Sequence, residues 1–343
     1  MRTGGDRAAR RRDELSRKDR RERSGPPQPE MVLTNNITTV ILLGFPNFQN
    51  VTFLFFLLVI IYCGTITGNL LIMVLYVLSK TLRSPMYFFI TQLSLCDILV
   101  ITDIVPTLLH TVLYGADAIS FIECIIQYSI FTSSESSECL LLSLMSYDRY
   151  LAICNPLYYH SIINQMFCVT SVSIIWLVVF IIILINVIYF YSFPFCGPNI
   201  IDHFYCDYEQ LMQLSCSDTA IIRTFDLIIG SFIVMIPFII IVTSYVYIAI
   251  TILKIPSNTG RHKAFSTCSS HLIVVYMFYG TLMIVYFFPT KGQSPILSKV
   301  LSLMYTVMTP LLNPIIYTLR NKDIKEALQK LKCFYNLPLV AHK

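Results

Sequence analysis

Eight ionisable side chains fall within or at the edge of otherwise apolar stretches: Asp97, Asp103, Glu135, Glu138, Asp148, Arg149, Asp226 and, near the end of its stretch, Lys299. A charge in such surroundings is costly without a partner, so each is a functional candidate. Three of them share one helix face. At about 100° per residue, Glu138 and Arg149 stand about 20° apart around a helix, and Glu135 about 60° from Glu138. At about 1.5 Å per residue, Glu135 lies about 16 Å and Arg149 about 37 Å from Cys124 along that helix. Asp97 and Glu138 have the chemistry to hold a monovalent cation between helices; buried, hydrogen-bonded acids are the plainer alternative. Pro310 and Asn313-Pro314 remove backbone donors from a later stretch, which suits a bending element or a passive kink. There is no Gly-rich phosphate loop, no H-E-x-x-H and no nucleophile–base pair at motif spacing, so no enzyme is expected.

The elements that carry these residues are set by composition. Of 343 residues, 55% are hydrophobic and 13% charged, with a mean hydropathy of +0.66. Lipid is therefore the expected solvent, and disorder or a small disulfide scaffold is excluded. Seven apolar stretches, Phe53–Leu78, Met86–Leu109, Glu123–Tyr150, Met166–Phe190, Arg223–Leu253, Phe265–Phe288 and Ile296–Leu319, are each 24–31 residues long. About 20 residues span a bilayer as a helix, and backbone groups in lipid must pair internally. The expected fold is an all-α membrane protein, a seven-transmembrane helix bundle over 53–319. With the segment 31–52 outside, the inner loops and tail carry twelve Lys/Arg and the outer side after residue 30 only Arg223, Lys291 and Lys299. This imbalance puts the N-terminus outside and the C-terminus in the cytoplasm. Residues 320–343 form the cytoplasmic tail, with a short amphipathic helix at Lys322–Lys332.

Residues 1–30 hold ten Lys/Arg and six Asp/Glu, and supply four of the five net positive charges. Having no apolar core, they do not form a signal peptide; they read as a disordered extension, with Met31 opening the functional chain. The near-neutral remainder gives no reason to expect nucleic acid as a partner. Asn36-Ile37-Thr38 and Asn50-Val51-Thr52 are glycosylation sequons on the outer side, and Asn36, farther from the membrane, is the better acceptor. Of eleven cysteines, Cys63, Cys96, Cys139, Cys154, Cys168 and Cys268 lie in or beside helices as small hydrophobes. Cys124, Cys196, Cys206 and Cys216 fall outside, which suggests two disulfides with three possible connectivities; their spacing does not suit zinc. Cys333 follows the amphipathic stretch, either as a palmitoylation site or as a reduced thiol.

Four blocks then come in order. Leu82-Arg83-Ser84-Pro85-Met86-Tyr87-Phe88-Phe89 opens the second stretch, and Met145-Ser146-Tyr147-Asp148-Arg149-Tyr150-Leu151-Ala152-Ile153-Cys154 closes the third. Lys263-Ala264-Phe265-Ser266-Thr267-Cys268-Ser269-Ser270-His271-Leu272 opens the sixth, and Pro310-Leu311-Leu312-Asn313-Pro314-Ile315-Ile316-Tyr317-Thr318-Leu319-Arg320-Asn321 closes the seventh. With Gly68-Asn69 and Ser244-Tyr245, the chain over roughly Val32–Lys332 resembles an odorant (olfactory) receptor of the rhodopsin-like G-protein-coupled class. The resemblance implies a G-protein switch built from Asp148, Arg149, Tyr150, Tyr245, Asn313, Pro314 and Tyr317. It implies disulfides Cys124–Cys206 and Cys196–Cys216, and a sodium site at Asp97 and Glu138 as the one possible cofactor. It implies a ligand pocket in the outer half, lined by Phe131, Thr132, Glu135, Ser136, Gly230, Ile233, Tyr279, Leu282, Tyr286, Leu303 and Thr306, about half of them touching ligand. His271 belongs to the sixth block as a hydrogen-bonded interior residue, not a ligand contact. The implied partners are a small odorant, a stimulatory-class heterotrimeric G protein that raises cAMP, and the bilayer. The implied location is the plasma membrane of sensory-neuron cilia.

Three departures from the family pattern are Arg83, Asp103 and Glu135. Glu135 could pair with a basic ligand, hydrogen-bond as a neutral acid to Thr132 or Ser136, or share water or sodium with Glu138. A transporter would call for repeated halves, and no internal repeat is found. The alternative within receptors is a non-olfactory receptor for a small amine.

Overall fold

The computed structural model describes residues 37–45, 50–195, 198–287 and 295–336. The extension 1–30, Asn36, Cys196 and Lys291 lie outside the described residues, as do the side chains of Tyr286 and Cys333. Contacts gather Ile37–Lys343 into one unit.

Among the described residues, seven long helices make up this unit. They are α1 (Val51–Leu78), α2 (Pro85–Tyr114), α3 (Phe121–Cys154), α4 (Gln165–Ser192), α5 (Ala220–Lys254), α6 (Asn258–Phe287) and α7 (295–320). A further helix, α8 (Lys322–Asn336), realises the expected amphipathic stretch. Short helices Pro156–Ile162 and Tyr208–Gln213 occupy two of the connections. α7 is composite: Pro295–Leu303, a π-helical turn Met304–Met308, and Thr309–Arg320. Every helix covers most of its apolar stretch, and the largest difference is at α6. It starts seven residues early because Arg261 and His262 continue the helix beyond its apolar part, and hydropathy marks only the part that meets lipid.

Local chemistry sets the boundaries. Pro85 occupies the first turn of α2, where its missing N–H costs nothing, and Gly115 ends that helix at φ 82°. α3 opens on a capping box: the Glu123 backbone N–H donates to Ser120 Oγ at 3.1 Å, and the Ser120 N–H to Glu123 Oε2 at 2.7 Å. Asn164 Oδ1 caps α4 by accepting from the Phe167 N–H at 2.9 Å.

Five helices (α1, α2, α4, α5 and α7) are long and apolar enough to cross a membrane, and the bent α6 makes a sixth. α3, with Glu135, Glu138 and a run of Ser and Thr between them, is more polar than the other six. It runs through the centre, against α2, α4, α5 and α6. Large apolar side chains such as Phe53, Ile60, Phe180, Phe232 and Ile239 are exposed on α1, α4 and α5; a belt of this kind is stable against lipid, not water.

At the Cys124 end a three-stranded sheet closes the bundle. The central strand β1 (Thr39–Leu43) pairs antiparallel with β2 (Ala116–Ser120), Val40 opposite Ile119, and parallel with β3 (Ile200–Ile201). Val40 and Leu42 of β1 alternate inward and pack with the Cys124–Cys206 disulfide, Leu211 and Met212. The segment before α1 and the loop between α4 and α5 are thereby fixed to the top of α3.

Candidate functional site

Three polar constellations lie along α3. At the disulfide end a cavity of about 280 Å³ is lined by Tyr128, Phe131, Thr132, Glu135, Ser136 and Cys139 of α3, and by Ile182 and Asn186 of α4. The loop after Cys206 adds Asp207 and Tyr208, α5 adds Asp226, Ile229, Gly230, Ile233 and Val234, α6 adds Leu282, and α7 adds Tyr305. An adjoining chamber of about 430 Å³ between α5 and α6 shares six of these residues and adds Phe238 and Tyr279. Asn186 Nδ2 bridges the wall, donating to the Tyr128 hydroxyl at 2.8 Å and to Asp226 Oδ1 at 3.2 Å.

The roof is held by polar contacts. Gln127 Oε1 accepts from the Cys206 N–H at 2.8 Å, and its Nε2 donates to the Asp103 carbonyl at 3.1 Å. The Tyr205 and Tyr305 hydroxyls bond to each other. Lys299, almost fully buried, donates to Asp202 at 2.6 Å and to the Gly44 carbonyl at 2.7 Å, so α7, the loop and the segment before α1 are joined at one ammonium. Burial and that ammonium hold His203 neutral, its imidazole lowered to about 3. Burial, with Asp226 nearby, pushes the Asp207 carboxyl up to about 6.

Of the eleven expected lining residues, Phe131, Thr132, Glu135, Ser136, Gly230, Ile233 and Leu282 line the cavity and Tyr279 the adjoining chamber. Leu303 and Thr306 do not. Leu303 packs into the cluster of Leu58, Val100, Ile104 and Phe204, and Thr306, buried, donates to the Ser302 carbonyl at 2.8 Å. The π-helical turn adds a residue to one turn of α7 and shifts its phase, so Tyr305 faces the cavity instead. Asn186, Asp207 and Tyr208 were missed. For the last two a signal existed: a disulfide from Cys206 to the top of α3 must draw the following residues over the bundle.

The second constellation is mid-bundle. Asn313 Nδ2 donates to both Asp97 oxygens, at 3.0 and 3.2 Å. Asn69 Nδ2 donates to the Pro310 carbonyl at 3.2 Å. Pro314 has no N–H to offer that carbonyl, so Asn69 fills the gap that the proline leaves. A Cβ on Gly68 would sit 3.1 Å from Pro314 Cγ, so glycine is what lets α1 approach α7 there. Glu138 is 2% exposed. Glu138 Oε1, Asn69 Oδ1, Asn313 Oδ1 and Ser137 Oγ are buried with no hydrogen-bond partner. Among the described residues no three His, Cys, Asp or Glu side chains converge as metal ligands; the unpartnered oxygens suit instead a hard monovalent cation.

The third constellation lies at the opposite end. Arg149 Nε donates to Asp148 Oδ2 at 2.9 Å and a second guanidinium nitrogen contacts the same oxygen, while the Tyr159 hydroxyl donates to Oδ1 at 2.8 Å. Tyr245 hydrogen-bonds His271 Nδ1 at 2.7 Å across α5 and α6, as expected for an interior histidine. Tyr317 is buried with its hydroxyl unpartnered. Arg149, Ser266, Ser270, Tyr317 and Arg320 line a cavity of about 570 Å³ at this end. Tyr150 packs edge-on against Tyr247 of α5.

Seven long helices, five or six of them apolar enough to cross a membrane, with a cavity at one end and an ion-paired arginine beside a second cavity at the other, have the architecture of a multi-pass membrane protein. Residues 58–334 match the family model described as Olfactory receptor. Olfactory receptor 11A1 of Homo sapiens is 46% identical over 307 residues, 89% of this chain and 97% of the relative. Olfactory receptor 11H4 is 44% identical (86% and 92%) and olfactory receptor 10A2 45% identical (82% and 92%), both also from Homo sapiens. The chain belongs to the olfactory receptor family. Family membership sets aside a non-olfactory amine receptor, a transporter and a membrane enzyme.

Proposed function

We propose that this chain is an odorant receptor that binds a small, volatile or water-soluble organic ligand in the cavity at the disulfide end. It then activates a stimulatory-class heterotrimeric G protein at the Arg149 end, raising cAMP. The observation that carries the reading is α3, one rigid helix with Glu135 in the ligand cavity and the paired Arg149 at the opposite cavity. The chain resides in the plasma membrane of sensory cilia, with the disulfide end outside and the Arg149 end in the cytoplasm. Asn36 carries the glycan. Cys196 pairs with Cys216, which is itself disulfide-bonded and directly follows an antiparallel bridge, Phe195 opposite Ser215.

A panel of odorants on receptor-expressing cells with a cAMP readout tests the reading. Gly230 gives it structural resolution. A helix-interior glycine costs up to about 1 kcal/mol relative to alanine, and a Cβ there would meet nothing within 4 Å. Gly230→Phe should therefore project from an open position into the cavity, lower agonist potency tenfold or more, and leave basal cAMP and surface delivery unchanged. Unaltered potency would move the ligand elsewhere.

Asp97 and Glu138 would hold a sodium ion, with Asn313, Asn69 and Ser137 offering further oxygens. The ion would neutralise the buried acid pair. Binding to the folded state alone stabilises by about 1.4 kcal/mol at ten times the dissociation constant. Melting of the detergent-solubilised receptor should rise by a few degrees in sodium chloride relative to choline chloride, and Glu138→Gln should remove that difference. Equal melting of the wild type in both salts would reject the site.

A further inference from the structure

Three carboxyl groups face the ligand cavity: Glu135 from α3, Asp226 from α5 and Asp207 from the loop after Cys206. The described cations at that end are engaged elsewhere. Lys299 is held by Asp202 and the Gly44 carbonyl. Arg223, which lines the adjoining chamber, donates to Glu209 at 2.8 Å. His110 sits 3.1 Å from Asp117, and the buried His203 is held neutral. An acid that ionises at the cavity must therefore take its counter-charge from whatever enters it.

A second observation points the same way. Tyr279 is 3% exposed, its hydroxyl meets only the weakly hydrogen-bonding Cys139 thiol, and it lines the adjoining chamber beside Asp207 and Asp226. A buried hydroxyl left with only a thiol is poorly satisfied, and carboxylates without a counter-charge are costly. One functional group relieves both. An ammonium offers three donors and a positive charge, enough to reach a carboxylate and a phenol oxygen together. An alcohol brings a single donor and no charge, and a carboxylate ligand would be repelled. Asn186 donates to one oxygen of Asp226 and so steadies that acid as an acceptor.

We propose that this receptor recognises a small protonated amine, its ammonium held by Asp226 and Glu135 and its apolar body packed against Phe131, Ile233 and Leu282. The proposal rests on the odorant-receptor reading of the same cavity and names its ligand class. A chamber of about 280 Å³ is below the 300–1,000 Å³ of drug-sized sites, which limits the amine to a compact one.

The test uses cells expressing the full-length receptor, with surface delivery measured by antibody and cAMP as readout. The probes are primary amines of roughly four to eight carbons, straight and cyclic, each paired with the alcohol and carboxylic acid of the same skeleton. Amines should act at concentrations at least tenfold below their alcohols, about 1.4 kcal/mol, with the acids silent. Asp226→Asn and Glu135→Gln, which keep shape and remove charge, should each lower amine potency tenfold or more; if one fails to reach the surface, the other decides. Alcohols equal to or better than amines, or amine potency unchanged in the delivered variants, overturn the proposal and leave the odorant-receptor reading standing. If no compound acts on a delivered receptor, the amine proposal falls. Basal cAMP, compared with that of Arg149→Ala, then decides whether the receptor reading falls with it.

Discussion

Arg149→Ala is expected to abolish the agonist-driven cAMP rise while leaving ligand access and surface delivery near wild type. The arginine lies at the end of the bundle opposite the ligand cavity, so its loss leaves the cavity walls untouched. In the structure the guanidinium is tied to Asp148 and borders the cavity between α2, α6 and α7. On the proposed reading, a cytoplasmic partner that enters that cavity would compete with Asp148 for the same cation. On that reading, activation is a choice between two partners for Arg149, and a ligand would shift it only by binding one arrangement better than the other. Removing the arginine deletes the competing arrangement outright. Asp148→Asn should act in the opposite direction: it weakens the resting pair, frees the guanidinium and raises basal cAMP. Tyr159, whose hydroxyl donates to the other Asp148 oxygen, should show a smaller effect of the same sign when changed to Phe. An Arg149→Ala receptor that reaches the surface and signals normally would remove the switch assignment.

Much of this arrangement is legible from residue type alone. The seven spans could be read because lipid demands long apolar helices, and the shared face of Glu135, Glu138 and Arg149 because α3 keeps regular helical geometry over that length. The Asn69–Pro310 contact is implicit in Pro314, which leaves a carbonyl in need of a donor, although sequence does not say which helix provides it. Positions on α7 could not be extrapolated from Asn313-Pro314. The π-helical turn between them and Leu303 alters the phase, and nothing in Met304-Tyr305-Thr306-Val307-Met308 announces it. The strand Thr39–Leu43 reads Thr-Val-Ile-Leu-Leu, an apolar run with no clear alternation; its two inward residues are selected by the partners β2 and β3, not by its own pattern. The Asn186 bridge was hidden for a similar reason, since a lone polar residue in an apolar helix shows its role only when Tyr128 and Asp226 arrive from other helices.

Cys206→Ser should impair surface delivery far more than Cys63→Ser. Cys206 and Cys124 are fully buried and joined at a sequence separation of 82, whereas Cys63 is exposed on α1 with a free thiol. On the chain-entropy account, closing a loop of that length constrains the unfolded chain by about 4.5 kcal/mol. That figure is an upper bound here, because helices already inserted in a bilayer cannot explore the full coil. The native state loses more than the constraint. Val40, Leu42, Leu211 and Met212 pack on the disulfide, and the Gln127 bond to the Cys206 N–H depends on the loop staying over α3. Losing a native disulfide commonly costs about 2–5 kcal/mol, enough to unfold a marginal receptor. Cys124→Ser should match Cys206→Ser, and the double variant should be no worse than either single one, because the first substitution already removes the bond. Cys63→Ser changes one lipid-facing atom and should be delivered like the wild type. Delivery of Cys206→Ser at the level of Cys63→Ser would mean that the sheet and the Lys299–Asp202 pair hold the loop without the disulfide. Additive losses in the double variant would mean that each cysteine acts through its own packing and not through their bond.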